Sequence, residues 1–213
     1  IESKLQKGSS KLEVLETIIS RTVALIVMGL FTVNYSSFAT TGSLTRPMFG
    51  LLMLAGFALV WNIYPNPKTD LMKNLQRGLK IVGVILLISL IYVYRDGNGG
   101  MFQQRWWGIL GLIGWAYSFA AVIYLYNRHR PKMLIVAYLA FLVLNILGSS
   151  RILGTFSGLI PDNGCFQAFA MTGVLLTLLL KHSALKYDMK RRLGFAVLAG
   201  IALLALGFIS NNF

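Results

Sequence analysis

The sequence is poor in charge, and poorer still in charge of one sign. Only 13% of its 213 residues are Asp, Glu, Lys or Arg, about half the ~25% typical of a soluble domain. Seven acidic side chains stand against 20 basic ones. There is one cysteine, Cys165, which excludes an intrachain disulfide and any cysteine-based metal-ligand spacing. The two histidines, His129 and His182, lie in basic stretches between apolar runs with no carboxylate beside them, unlike imidazoles oriented for catalysis. No apolar run holds a lysine in its interior, as a retinal Schiff base would need, and none holds an acid at its centre, which argues against a proton-driven pump. A Gly-x-Ser-Gly turn is absent, so a rhomboid-type protease is excluded. A polar segment precedes the first apolar run, and no signal peptide is visible.

What the chain has instead is grease. It is 56% hydrophobic with a mean hydropathy of +0.67. Seven runs approach the ~20 apolar residues that a spanning helix requires: about 17–33, 47–64, 79–94, 106–126, 132–148, 165–180 and 193–209. They predict an all-α, polytopic transmembrane bundle forming a single domain over 1–213, with the lipid bilayer as its principal partner. The shorter runs imply tilt, or burial within a larger bundle.

Charge then assigns sides. Lys4, Lys7, Lys11 and Arg21 flank the start of the first run, Lys68, Lys73, Arg77 and Lys80 lie between the second and third, and Arg128, Arg130 and Lys132 between the fourth and fifth. Lys181, Lys186, Lys190, Arg191 and Arg192 lie between the sixth and seventh. Only Arg46, Arg95, Arg105 and Arg151 fall on the other side. Such an alternation marks the crowded side as cytoplasmic, so the Ile1 side is read as cytoplasmic and the Phe213 side as extracytoplasmic. The net charge of +13 is thereby a matter of topology, and nucleic acid is not an expected partner.

Local signals agree. Ser10 followed by Glu13 forms a capping box, and Pro47 opens the second run where proline is tolerated. Asn66-Pro67, the stretch from Gly97 to Gly100 and the stretch from Pro161 to Gly164 read as turns. Gly108, Gly111 and Gly114 give the fourth run a small-residue face on which another helix can pack closely, and association into a homo-oligomer stays open. Polar groups inside the runs are few: Arg21, Asn62 and Asn145. Beside Arg105, Trp106 and Trp107 are either interfacial anchors or flat faces for a pyranose ring. Arg46, Arg105, Trp106, Trp107, Asn145 and Arg151 are accordingly the candidate substrate-binding residues of an outer cavity.

The stretch from Lys4 to Lys11, followed by Ile18 to Leu25, resembles a segment of the heparan-alpha-glucosaminide N-acetyltransferase-like membrane proteins. There a basic, glycine-containing linker leads into the third span. The stretch from Arg105 to Tyr117, with its Trp-Trp-Gly-Ile-Leu-Gly run, is similar to the Bacteroides-type bacterial branch of that family, and the stretch from Arg46 to Leu52 is a weaker match. The resemblance implies a bundle of about eleven spans in a bacterial cytoplasmic (inner) membrane. It also implies transfer of an acyl group, such as acetyl, from acetyl-CoA to an extracytoplasmic sugar or glycan. The catalytic histidine of that family is expected before Ile1, in a loop without a counterpart here. A transporter or flippase for a sugar or lipid-linked substrate, and a non-catalytic membrane subunit, are the alternatives.

Overall fold

A computed structural model describes residues 1–40, 44–149 and 160–184, together with positions 190, 191, 193, 194, 197, 198, 200 and 201. Seven α-helices are found among the described residues: α1 (Glu2–Gln6), α2 (Lys11–Ser37), α3 (Arg46–Trp61), α4 (Asp70–Val93), α5 (Gly108–Asn127), α6 (Pro131–Ser149) and α7 (Cys165–Ala184). A 3-10 turn, Pro161–Gly164, leads into α7. Five of these segments are long and apolar enough to cross a membrane, namely Lys11–Ser37, Asp70–Val93, Gly108–Asn127, Pro131–Gly148 and Pro161–Lys181. Their outward faces carry bare large side chains, among them Ile81, Ile85 and Ile88 of α4 and Val136, Leu139 and Val143 of α6. Contiguous apolar faces of this kind suit lipid rather than water.

The second and seventh runs stand apart. α3 stops at Trp61 rather than Tyr64, because Pro65 and Pro67 follow and the residue before a proline avoids helical geometry. Its 16 residues reach about 24 Å at 1.5 Å each, and it falls in a shorter apolar class. Asn62, read from sequence as an intramembrane polar group, is instead the exposed residue just past the helix end, its N–H donating to the Ala58 carbonyl at 3.0 Å. The run at 193–209 lies largely outside the described residues, as do Arg151, Lys186 and Arg192.

Helix starts follow the capping rules. The Ser10 side chain accepts from the Glu13 N–H, Thr45 caps α3 with Pro47 in its first turn, and Thr69 caps α4. α4 begins nine residues before the run it contains, since Lys73, Arg77 and Lys80 depress its hydropathy without interrupting its helix.

The chain divides into two compact units, one spanning Glu2–Ser118 and one beginning at Phe119, inside α5. In the first, the core is aromatic. Phe49, Met53 and Phe57 of α3 meet Leu87 and Leu90 of α4 and Tyr94 just past its end, with Phe31 of α2 and Phe38 just past that helix completing the cluster. Spacings of three and four residues put each set on one helical face. The Phe38 and Phe49 rings stack 4.4 Å apart, and the Phe31 and Phe57 rings meet edge to face at 5.6 Å. In the second unit, Ala120 of α5, Leu134 and Phe141 of α6, and Ala168 and Met171 of α7 form the core.

Candidate functional site

The most constrained part of the first unit is the α4–α5 connection, residues 94–107, where it crosses the end of α2. It is pinned at three places. The first is Asn34, fully buried on α2. Its Nδ2 donates to the carbonyls of Leu30 (2.8 Å) and Gln103 (2.7 Å), and its Oδ1 accepts from the Gln103 N–H (3.1 Å). The carboxamide thus stands in for a strand, pairing with both backbone groups of one distant residue. The Tyr94 hydroxyl donates to the Asn34 carbonyl at 3.0 Å, and the Ala39 N–H donates to the Arg95 carbonyl at 3.0 Å.

Asp96 is the second. Its Oδ1 accepts from the N–H groups of Asn98 (2.9 Å) and Gly100 (2.6 Å), which closes the glycine-rich turn. Its Oδ2 pairs with the Arg105 guanidinium at 3.4 Å. The pair is partly exposed, so it orients Arg105 more than it stabilises the fold.

The third is the start of α5. Arg105 (φ 48°) and Trp107 (φ 70°) both occupy the left-handed region, followed by Gly108 at φ 72°. For a residue as bulky as tryptophan this is a genuine outlier. Gly29 of α2 makes it possible. A Cβ built on Gly29 would lie 2.5 Å from the Trp107 carbonyl oxygen and 2.8 Å from the Gly111 Cα, and one on Gly108 would lie 2.6 Å from the Gly29 carbonyl. The α2 and α5 backbones therefore touch here, on the small-residue face read from the sequence, and Gly114 continues the contact against Leu25 and Ile26. The Trp107 ring packs edge to face on Trp115 at 5.6 Å, leaving Trp106 as the ring that faces outward, 54% exposed.

The six candidate residues are thus distributed unevenly. Arg105, Trp106 and Trp107 share one turn against α2. Arg46 is held on the same helix, donating to the Ser36 carbonyl and lying over the Tyr35 ring at 5.3 Å. Asn145 is half-buried on α6 in the other unit. Arg151 lies outside the described residues. Asn34, Tyr94, Asp96 and Gln103, which hold the turn, were not among the candidates. Asn34 was overlooked because it falls one position past the expected end of its run, yet an amide between Val33 and Tyr35 is the kind of polar group that seeks a bundle interior.

Among the described residues no group of three or more His, Cys, Asp or Glu is placed to hold a metal ion. The site offers cations and flat rings at its lip, with its carboxylate committed to Arg105 and to backbone N–H groups. Among the described residues of this turn, no side chain is arranged as a nucleophile with a base beside it. A family described as a domain of unknown function, DUF5009, matches residues 2–162. The chain belongs to that family. The DUF5009 match takes in the whole α4–α5 connection with its three pins and ends in the turn before α7. No curated protein and no solved structure matches the chain.

Proposed function

We propose that this member of the DUF5009 family is an integral membrane protein of the bacterial inner membrane and the bundle portion of a transmembrane acyltransferase. It moves an acyl group from acyl-CoA, met on the cytoplasmic side, to an extracytoplasmic sugar or glycan. In that reaction the thioester C–S bond breaks, a new bond forms between the acyl carbon and the acceptor oxygen or nitrogen, and the acceptor proton ends on the departing thiol. The base is the histidine expected upstream of Ile1. The basic lead-in of α4, with Lys73, Arg77 and Lys80, suits the anionic donor, and the Arg105–Trp107 turn suits the acceptor.

One observation carries this reading. Two non-glycine residues, Arg105 and Trp107, are held in the left-handed region on either side of an outward-facing Trp106. Backbone strain of this kind gathers at ligand sites, where the surroundings over-determine it. A cation beside a flat ring fits a carbohydrate with polar substituents. The sequence resemblance at Arg105 to Tyr117 falls on the same residues.

The test is acyl transfer by the full-length protein, followed as free thiol released from acetyl-CoA in the presence of glycan acceptors. Trp106→Ala removes an exposed ring worth about 1 kcal/mol of stacking. It should lower transfer roughly five-fold at subsaturating acceptor and leave the unfolding temperature unchanged. Uptake of sugar without thiol release would instead identify a transporter, and neither activity together with a co-purifying partner would identify a structural subunit.

A further inference from the structure

The second unit holds a polar cluster that the acyl-transfer reading does not use. α7 begins from a left-handed turn in which Asp162 (φ 56°), Asn163 (φ 50°) and Gly164 (φ 85°) succeed one another. Gln167, the third residue of α7, is fully buried, on the stripe that carries Ala168 and Met171. Among the described residues neither its Oε1 nor its Nε2 has a hydrogen-bond partner, and the buried Oδ1 of Asn163 has none either. The turn is seated on α6. A Cβ on Gly148 would fall 2.5–2.7 Å from the Asn163 side chain, and one on Gly164 would fall 3.4 Å from the Phe141 carbonyl. Asn145 occupies the same α6 face, four residues after Phe141 and three before Gly148.

A buried carboxamide without partners is costly, and an apolar residue of equal size would pack without that cost. Gln167 is such a group, and the Oδ1 of the partly buried Asn163, four positions earlier, adds a second unpaired acceptor, which makes a fold-only explanation poor. We infer that the turn into α7, with Gln167 and Asn163, is a binding site for a neutral ligand group that donates and accepts hydrogen bonds side by side, as an amide or a pair of vicinal hydroxyls does. A carboxamide offers both a donor and an acceptor edge. The N–H groups at the start of α7 add donors, while the Asp162 carboxylate in the turn disfavours an anion that those donors would otherwise attract. Charge alternation assigns this end of α7 to the extracytoplasmic side. The inference does not depend on acyl transfer, since such a site binds whether or not the protein is an enzyme.

The full-length protein in detergent is titrated calorimetrically with N-acetylglucosamine, glucose and inorganic phosphate, alongside the variants Gln167→Met and Asn163→Gly. The first variant conserves volume, and the second suits the left-handed backbone. N-acetylglucosamine should bind the wild type and raise its unfolding temperature, and each variant should lose at least about tenfold in affinity, the worth of one or two neutral hydrogen bonds. Without ligand both variants should unfold at or above the wild-type temperature. Binding of glucose as well assigns the contact to hydroxyls, and its failure to bind assigns it to the amide. The site is refuted if neither sugar binds, if phosphate alone binds, if the variants bind as well as the wild type, or if Gln167→Met unfolds several degrees lower, because that carboxamide would then be held by the chain itself.

Discussion

Replacing Gly29 by alanine adds a single methyl group to a helix that should welcome it. Alanine is favoured over glycine by about 1 kcal/mol in a helix interior. At Gly29 that gain is overwhelmed. The new carbon would sit 2.5 Å from the Trp107 oxygen and 2.8 Å from the Gly111 Cα, against ~3.5 Å or more for an unstrained contact. Every atom it meets is backbone, so no rotamer change relieves the clash, and α5 must retreat by about 1 Å. Overpacking of this kind costs about 1–3 kcal/mol. Retreat also withdraws the Gly114 contact with Leu25 and loosens the turn that holds Trp107, so the upper end applies, giving a net loss of about 2 kcal/mol. Gly78 of α4 is the internal control, because nothing lies within 4 Å of a Cβ built there. Gly78→Ala should therefore stabilise by about 1 kcal/mol. One chemical change at two helical glycines is expected to act with opposite sign, separated by about 3 kcal/mol. Reversible unfolding in mixed detergent, followed by circular dichroism, measures both. If Gly29→Ala is as stable as the wild type, the α2–α5 backbone contact does not exist and the account of the Trp107 turn collapses with it.

Other expectations follow from the same unit. Asn34→Leu deprives the part-buried Gln103 N–H and carbonyl of their partner and should destabilise by about 2 kcal/mol, at the lower end of 1–3 kcal/mol for each group left unpaired. Hydrogen exchange should speed up at the Gln103 amide, and unchanged protection there would show that Asn34 is not the clamp. Tyr94→Phe keeps the aromatic packing and drops one bond to the Asn34 carbonyl, so about 1 kcal/mol should be lost; unfolding of this variant checks the figure. Orientation is open to chemistry. In a Cys165→Ser background, a membrane-impermeant maleimide on sealed cells should label Asn98→Cys and spare Lys73→Cys, both at exposed positions, and the reverse pattern would invert the topology.

Much of the helical layout is legible in the sequence because hydropathy over ~20 residues is a strong signal. The Ser10 cap and Pro47 are legible because capping is local. Gly108, Gly111 and Gly114 announce a close contact, but their partner, Gly29, cannot be read from a pattern, since it lies about 80 residues away in sequence and is chosen by packing. The α3 terminus was missed because hydropathy continues through Trp61 and Ile63 while Pro65 ends the geometry. Asn34 and Gln103 were missed for a related reason. Each is an ordinary polar residue in its own neighbourhood, and only their meeting across 69 positions makes a clamp. The left-handed Trp107 has no sequence signal at all, because tryptophan has no preference for that region and takes it only when neighbours leave no alternative.

That last point separates the two explanations for the tryptophans. An interfacial anchor needs a ring at the right depth and nothing from the backbone, so a flexible loop serves as well as a rigid one. Here the backbone is anything but free. Left-handed tryptophan and arginine together cost about 2–6 kcal/mol, at 1–3 kcal/mol for each strained residue. The chain meets that cost with a fully paired buried amide at Asn34, a closed turn at Asp96 and a backbone-to-backbone contact at Gly29. The three restraints bracket the strained residues, one upstream at Gln103, one through Arg105 itself and one at the Trp107 carbonyl. Their joint effect is to fix the backbone on both sides of Trp106, whose ring is 54% exposed. Lipid exerts no demand on direction at this accuracy, so the strained turn supports the proposed stacking of a ring-shaped ligand on the indole face.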